Sequence, residues 1–289
     1  MAAGDLITLP YQFEYNGLLM GNGTNYDLTS ITGLEFMSVR EGDDKRPLDH
    51  GNIDTTPDLM PNRVVIVRGE VISSDLSLVT AMRNATGVRE ANQAQLLPLV
   101  VQLYDGLKYR INCRVRRRDV PVDQEFSWGF PTFTLMFWAP DPRIYSNGES
   151  NNTATAGFTG GTGFGFDIAF DLSFGGGSGG AGIAYCLNSG DMNTAPVVTL
   201  HGPLTAPRLI NDSTGEEWST TMTLASGDDL VVDMGNRTVT LFGATRYSTV
   251  TSGSVWWTLR PGGNSVRLSA PTGTGTATIT WRSAWHAVI

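Results

Sequence analysis

The side chains best suited to catalysis are few and scattered along this chain. His50, His201 and His286 stand far apart, and no His-Glu-x-x-His or Cys-x-x-Cys spacing occurs, so nothing in the sequence predicts a zinc site. A glycosidase needs two carboxylates across a sugar-sized cleft. Asp228 and Asp229 are close in sequence, but Gly227-Asp228 is typical of a turn. We expect no catalytic residue, no metal and no cofactor, and interpret the protein as a non-enzyme.

Arginine spacing is more informative. If Ile111 and Cys113 face a core, period-two geometry places arginines on the opposite face of the same strand. Like charges in a row destabilise a sheet unless acidic groups lie against them. The partners could be local, such as Asp119 and Asp123. They could also belong to an adjacent subunit, and a nucleic-acid groove is the third alternative. The candidate contact residues on this face are Arg114, Arg116 and Arg118.

A long polar loop between residues 41 and 62 could supply such acidic partners. Loops of this length without periodicity are uncommon and often functional. Its candidate inter-subunit residues are Glu41, Asp43 and Asp44.

Seven tryptophans are many for 289 residues. The adjacent Trp256 and Trp257 would face opposite sides of a strand, so one of them should leave its own core. We therefore take both as candidate docking aromatics, for a protein neighbour or for a sugar.

Composition excludes several classes of protein. With 17% charged and 40% hydrophobic residues the chain should fold, and its length suffices for two cores. A net charge of -8 argues against a general nucleic-acid binder. No apolar run is long enough to span a membrane and the start shows no signal-peptide pattern, so we expect synthesis in a cytoplasm. Cys113 should be a buried apolar residue, and a disulfide with Cys186 is the minor alternative.

Periodicity predicts a mostly β protein of two domains, residues 1–146 and 147–289. The first reads as a β-sandwich or split barrel with one helix, near residues 74–85, and a hairpin around Asp105-Gly106. The second reads as a sandwich or jelly roll. Its predicted strands include the alternating segment 164–174 and Val255 to Leu259.

Motifs in both halves resemble one family. Two prolines interrupt the strand that ends in Ala139-Pro-Asp-Pro-Arg-Ile-Tyr145, and the ladder must stop there. Further matches are Gly227-Asp-Asp-Leu-Val-Val-Asp233 with Arg237-Thr-Val-Thr-Leu241, Trp257-Thr-Leu-Arg-Pro-Gly-Gly-Asn264, and Ala277-Thr-Ile-Thr-Trp-Arg-Ser-Ala-Trp285. In order and spacing, these resemble the distal tail proteins of long-tailed bacteriophages (siphophages).

The resemblance implies a structural virion protein at the tail tip, or baseplate hub. It would form a ring, usually a hexamer, that joins the tail tube protein to tail-tip and other tail-associated proteins while DNA passes through its lumen. Assembly would occur in the host cytoplasm without membrane insertion. The second domain would be galectin-like or jelly-roll. The alternatives are a carbohydrate-binding module that contacts a host surface glycan, and the tube protein or another tail subunit.

Overall fold

Alternating apolar residues form strands along most of the chain, and the fold is mostly β, as the sequence predicted. This computed structural model describes residues 2–35, 39–40, 44–45, 50, 52–53, 59–73, 75–87, 95–148, 152–159 and 182–288. The chain divides into two compact units. The first contains Met1–Asn147 and the chain end Trp285–Ile289, and the second contains Gly148–Ala284.

The first unit is built on one large antiparallel sheet. Its strands in chain order are β1 (Gln12–Tyr15), β2 (Leu18–Gly21), β3 (Tyr26–Thr32), β4 (Asp44–Lys45), β5 (Asn52–Ile53), β6 (Arg63–Val71), β7 (Leu97–Gln102), β8 (Lys108–Asp119), β9 (Thr132–Ala139) and β10 (Ile144–Ser146). The order in the large sheet is β2-β1-β7-β8-β9-β6-β3, with β10 beside β8. Strands β4 and β5 form a separate short pair.

The core of the first unit comes from strict alternation. Along β9, Phe133, Leu135 and Phe137 are buried, and the residues between them are only half-buried. Burial of each such side chain contributes on the order of 1.5–3 kcal/mol. Cys113 is buried here and forms no disulfide, and burial raises the pKa of its thiol to about 12.

Two helices accompany this sheet. The predicted helix is present as α1 (Ser77–Ala85), whose buried residue is Met82. The short α2 (Gln124–Trp128) was not predicted from the sequence. Asp123 caps this helix by accepting a 3.0 Å hydrogen bond from the amide of Phe126. No helix in the described ranges is long and apolar enough to cross a membrane.

The second unit contains two antiparallel sheets. The strands are β11 (Thr153–Thr159), β12 (Ile183–Asn188), β13 (Val197–His201), β14 (Leu204–Thr205), β15 (Arg208–Asn211), β16 (Glu216–Ser219), β17 (Thr223–Leu224), β18 (Asp229–Asp233), β19 (Thr238–Leu241), β20 (Ala244–Thr245), β21 (Gly262–Ser269) and β22 (Thr272–Thr280). The larger sheet has the order β17-β14-β22-β13-β18-β19-β20, with β11 beside β22, and the smaller has the order β12-β21-β15-β16.

Residues from both sheets share one apolar core, which is the arrangement of a β-sandwich. Trp218 and Trp257 are among its fully buried side chains. The predicted strand from Val255 to Leu259 does not form. This segment has no ladder partner apart from an isolated bridge between Leu259 and Thr194. The alternating segment 164–174 lies outside the described residues.

The chain end returns to the first unit. Strand β23 (Ala284–Trp285) pairs with β10. The Trp285 ring meets Tyr109 edge-to-face at 5.3 Å, and Val288 packs against the first core. The range of residues 147–289 predicted for the second domain therefore ends earlier in the structure, at Ala284.

Candidate assembly surface

The Pro-Asp-Pro turn after β9 is fixed by one carboxylate. Asp141 Oδ1 accepts a hydrogen bond from the amide of Arg143, and Asp141 Oδ2 accepts one from the Tyr145 hydroxyl at 2.5 Å. Burial, the charge of Asp141 and this hydrogen bond together raise the pKa of Tyr145 to about 12. The motif that ends the first unit is therefore closed by its own side chains.

Arg63 connects this turn to two other parts of the first unit. Its side chain is fully buried. Nε donates to the carbonyl of Pro142 at 2.6 Å, Nη1 donates to the carbonyl of Gly33, and Nη2 donates to the carbonyl of His286. Burial lowers the pKa of this guanidinium. The sequence shows only an arginine at the start of a strand and gave no sign of this role.

Strand β8, which carries the predicted arginine face, contains a β-bulge. Val115 lies opposite Phe137 of β9, but the next paired position joins Arg117 to Met136. Arg116 is the extra residue. Because a bulge adds one residue to a period of two, the positions after it change faces.

The bulge moves Arg118 away from the other two candidate contacts. Arg118 now lies opposite the buried Leu135, and its Nη1 donates 3.1 Å to the carbonyl of Arg83 at the end of α1. The prediction that Arg118 shares the face of Arg114 and Arg116 is wrong. This arginine instead binds the last turn of a helix, where a cation is favourable.

Arg114 and Arg116 converge on one aromatic ring. The Arg114 Cζ lies 4.7 Å from the centroid of Trp138, and the Arg116 Cζ lies 4.0 Å from it. Both distances are within the range of cation–π attraction. Strand β8 itself places no aromatic residue on this face. Trp138 reaches it from the neighbouring strand, opposite Arg114.

The local carboxylates neutralise only part of this charge. Asp119 Oδ2 pairs with Arg117 Nη2 at 2.7 Å, as expected for a local acidic partner. Asp123 does not pair with an arginine in the described structure and serves instead as the cap of α2. Neither carboxylate reaches the two arginines on Trp138.

The predicted acidic partners cannot be placed in space. Glu41 and Asp43 lie outside the described residues, and for Asp44 only the backbone of β4 is described. Their pairing with the arginines stays a prediction.

The two candidate docking tryptophans have different environments. Trp257 is only 1% exposed and belongs to the core of the second unit, so it has no surface to offer. Trp256 is half-buried and stacks on Tyr247, with centroids 6.1 Å apart and planes 11° from parallel. Tyr247 is 56% exposed. Any aromatic docking in this region would involve Trp256 and Tyr247.

His201 lies in a row of polar side chains on the second unit. His201 Nδ1 lies 2.6 Å from Asp229 Oδ1, and Nε2 lies 3.2 Å from Thr278 Oγ1. The order hydroxyl, imidazole, carboxylate resembles a hydrolase triad. Here it spans three neighbouring strands of an open sheet and serves as a cross-strand polar ladder. No group of three or more His, Cys, Asp or Glu within the described ranges could hold a metal ion.

A polar groove of about 540 Å³ lies elsewhere on the second unit. Arg208 and Glu217 line it, 3.7 Å apart, together with hydroxyl side chains such as Ser219 and Thr251. Neither Trp256 nor Tyr247 lines it. The groove therefore lacks the aromatic platform on which sugars usually stack.

Comparison with known proteins relates this architecture to phage tails. Residues 189–285 match the family model of the siphovirus-type tail component, C-terminal domain. The crystal structure of SPP1 Dit, described as a paradigm of hub adsorption apparatus in phages infecting Gram-positive bacteria, matches with a TM-score of 0.66 and 16% identity. The match covers 94% of this chain and 98% of SPP1 Dit. The chain has the distal tail protein fold. No curated protein sequence matches significantly.

These findings confirm the resemblance to siphophage distal tail proteins. The family match contains the Asp228-to-Asp233 motif and the tryptophan-rich motifs near the chain end. The Pro-Asp-Pro motif lies outside the residues that the family model matches. For that part of the chain, the similarity rests on the structural match alone.

Proposed function

We propose that this chain is a structural distal tail protein that acts at the tail tip of a siphophage. Copies related by rotation would form a closed ring, usually of six, that joins the tail tube to the tip and lets DNA pass through its lumen. The observation that carries the proposal is a fold match over both units, 94% of the chain, to the hub protein of a phage adsorption apparatus. Assembly would take place in the host cytoplasm.

Such a protein works through its surfaces. A ring needs two different complementary patches on each copy, because its contacts run head to tail. On the first unit the arginines that stack on Trp138 supply one charged patch. The sequence between Glu41 and Asp58 supplies acidic residues for the other. The first unit would therefore build the ring, and the second would bind peripheral tail proteins.

The mass of the purified full-length chain tests the ring. Multi-angle light scattering should give a species of six times 31.2 kDa, and negative-stain images should show an annulus. Residues 148–284 alone serve as the control and should stay monomeric, since the ring contacts are assigned to the first unit. A full-length chain that remains monomeric at every concentration would contradict the ring.

Glycan binding by the second unit is the second candidate function. The observation in its favour is the exposed Tyr247 stacked on Trp256, because exposed aromatic faces bind sugar rings. A glycan array probed with residues 148–284 tests it. Binding that Tyr247→Ala removes would support this function, and an array without signal would reject it.

A further inference from the structure

The outer face of β6, β8 and β9 has an apolar centre. In the antiparallel register Val64 lies opposite Trp138, and Ile66 lies opposite Met136. All four side chains are half-buried, and none belongs to the core cluster on the inner face of the sheet. We call these four residues the outer apolar patch. Large apolar groups in adjacent positions on an outer sheet face are unfavourable in water and often mark an interaction site.

Arginines border the outer apolar patch along β8 and at its end on β6. This arginine rim consists of Arg68, Arg114, Arg116 and Arg117, from β6 and β8. Arg117 pairs with Asp119, and Glu70 is exposed farther along β6. The other three rim arginines form no ion pair or side-chain hydrogen bond in the described part of the chain. The face therefore carries more positive than negative charge, although the whole chain has a net charge of -8.

The residue types on the outer face of β6, β8 and β9 are typical of the centre of a protein–protein interface. Tryptophan, methionine and arginine are enriched at protein interfaces, and tryptophan and arginine dominate their binding energy. Trp138 also restrains the two guanidinium groups that lie on its ring. Restrained side chains lose less conformational entropy when a partner binds.

We propose that this face binds the acidic segment 41–58 of a second copy of this chain. The proposal rests on the proposed ring and names one of its contacts. Charge complementarity identifies the occupant: besides His50, the segment contains Lys45 and Arg46 as its basic residues, whereas its acidic residues are Glu41, Asp43, Asp44, Asp49, Asp54 and Asp58. It also contains Leu48 and Ile53, which suit an apolar centre.

A nucleic acid fits this face less well. Single-stranded nucleic acid binds along positively charged grooves with several aromatic residues on which successive bases stack. Here one tryptophan is already covered by two guanidinium groups, and its neighbours across the sheet are aliphatic or methionine side chains. A protein segment with carboxylates at its edge matches both the rim and the centre.

Reciprocal charge reversal tests the proposal in the full-length chain. One variant carries Arg114→Glu and Arg116→Glu, a second carries Glu41→Arg, Asp43→Arg and Asp44→Arg, and a third combines all five changes. We expect the first two to weaken self-association at least about tenfold, and the third to regain most of it. The measurement is sedimentation velocity over a concentration series, with circular dichroism to verify folding.

Mixing the first two variants separates contact between copies from contact within one chain. Each mixed pair still contains one native arginine face and one native acidic segment. The other contact between the two variants pairs the reversed face with the reversed segment, as in the five-change variant. The mixture should therefore form alternating assemblies larger than those of either variant alone. A mixture that stays monomeric would mean that segment and face do not meet between copies, and would overturn the proposal.

Arg237→Glu with Arg260→Glu is the matched control, since both arginines are exposed on the second unit. It should assemble like the wild type. If the first variant also assembles normally, this inference fails and the ring stands. If the five-change variant does not recover, the assigned segment is wrong. A wild type that never associates overturns both proposals. Binding of a single-stranded DNA oligonucleotide that Arg114→Glu with Arg116→Glu abolishes would reassign the face to nucleic acid.

Discussion

At the scale of single residues, Arg63 determines whether three distant backbone segments of the first unit can meet. A buried charge without partners is strongly unfavourable, and this guanidinium avoids that cost by donating to three carbonyl groups from Gly33, Pro142 and His286. Those carbonyls in turn have their hydrogen-bonding needs met inside the protein. The buried guanidinium and the buried carbonyl groups each need the other as a hydrogen-bond partner.

Replacement of Arg63 by methionine should therefore destabilise the first unit. Methionine keeps an apolar stem of similar size, but the three carbonyl groups lose their donor. We therefore expect the free energy of unfolding to fall by about 3–5 kcal/mol. Urea unfolding followed by tryptophan fluorescence measures it. Arg68→Met, at an exposed position of the same strand, is the control and should change stability by less than about 0.5 kcal/mol. Equal effects of the two variants would contradict the role of Arg63.

Tyr145 should make stability depend on alkaline pH. Its folded-state pKa of about 12 exceeds the ordinary value of ~10 for an unfolded chain, so the folded state holds its proton more tightly. The contribution of Tyr145 is complete below pH ~10 and is lost as the pH rises toward 12, by about 1–3 kcal/mol. Tyr145→Phe should remove this part of the pH dependence. Unfolding measured at pH 9, 10 and 11 would contradict the assignment if both proteins lost stability equally.

At the scale of elements, bulges decide which residues share a face. Because of the bulge in β8, Arg118 leaves the arginine face and hydrogen-bonds to the end of α1. A second irregularity, between Leu28 and Ser30 of β3, lies against β6. There the chain approaches Gly69 so closely that an added Cβ would lie 2.1 Å from the carbonyl oxygen of Asp27 and 2.8 Å from the Phe133 ring.

Gly69→Ala should therefore disrupt the pairing of β3 with β6. The added methyl group would clash with the backbone of β3, which cannot move without breaking its hydrogen bonds to β6. We expect the free energy of unfolding to fall by about 2–4 kcal/mol. Gly157→Ala, in a strand of the second unit with open space around it, is the control and should be neutral or slightly stabilising. Differential scanning calorimetry of both variants tests the pair. An unchanged first unit in Gly69→Ala would show that β3 can shift.

At the scale of the whole molecule, the first unit is completed by residues from the far end of the sequence. Trp285 packs on Tyr109, the carbonyl of His286 accepts from Arg63, and Val288 joins the core. The second unit is a continuous piece, Gly148–Ala284, with its own core. The two units should therefore respond differently to a truncation.

Removal of residues 285–289 should destabilise the first unit selectively. The truncated chain loses the Tyr109 ring contact, one acceptor of Arg63 and buried apolar area, while residues 148–284 keep every residue of their core. We expect the calorimetric transition of the first unit to fall by several degrees or more, with the other transition unchanged. The isolated fragment 148–284 provides the reference transition. A common shift of both transitions would contradict independent units.

Local sequence patterns predicted much of this fold. Period-two alternation identified the strands and their buried faces, because side chains on a strand must alternate and only one side can be apolar. The two prolines after Ala139 determined where strand β9 ends. The order of motifs indicated the distal tail protein family, which the structural match supports.

Other features depended on the tertiary structure because they arise from partners far away in sequence. A bulge is an irregularity between two strands, so β8 alone could not reveal that Arg118 turns away. Trp138 meets the arginines only after β9 pairs with β8. Nothing in the local sequence distinguishes Trp256 from Trp257. Their different burial depends on how the loop that carries them packs on the core of the second unit. Arg63 is buried only because three separate segments bring carbonyl groups to one point, and local patterns do not encode that convergence.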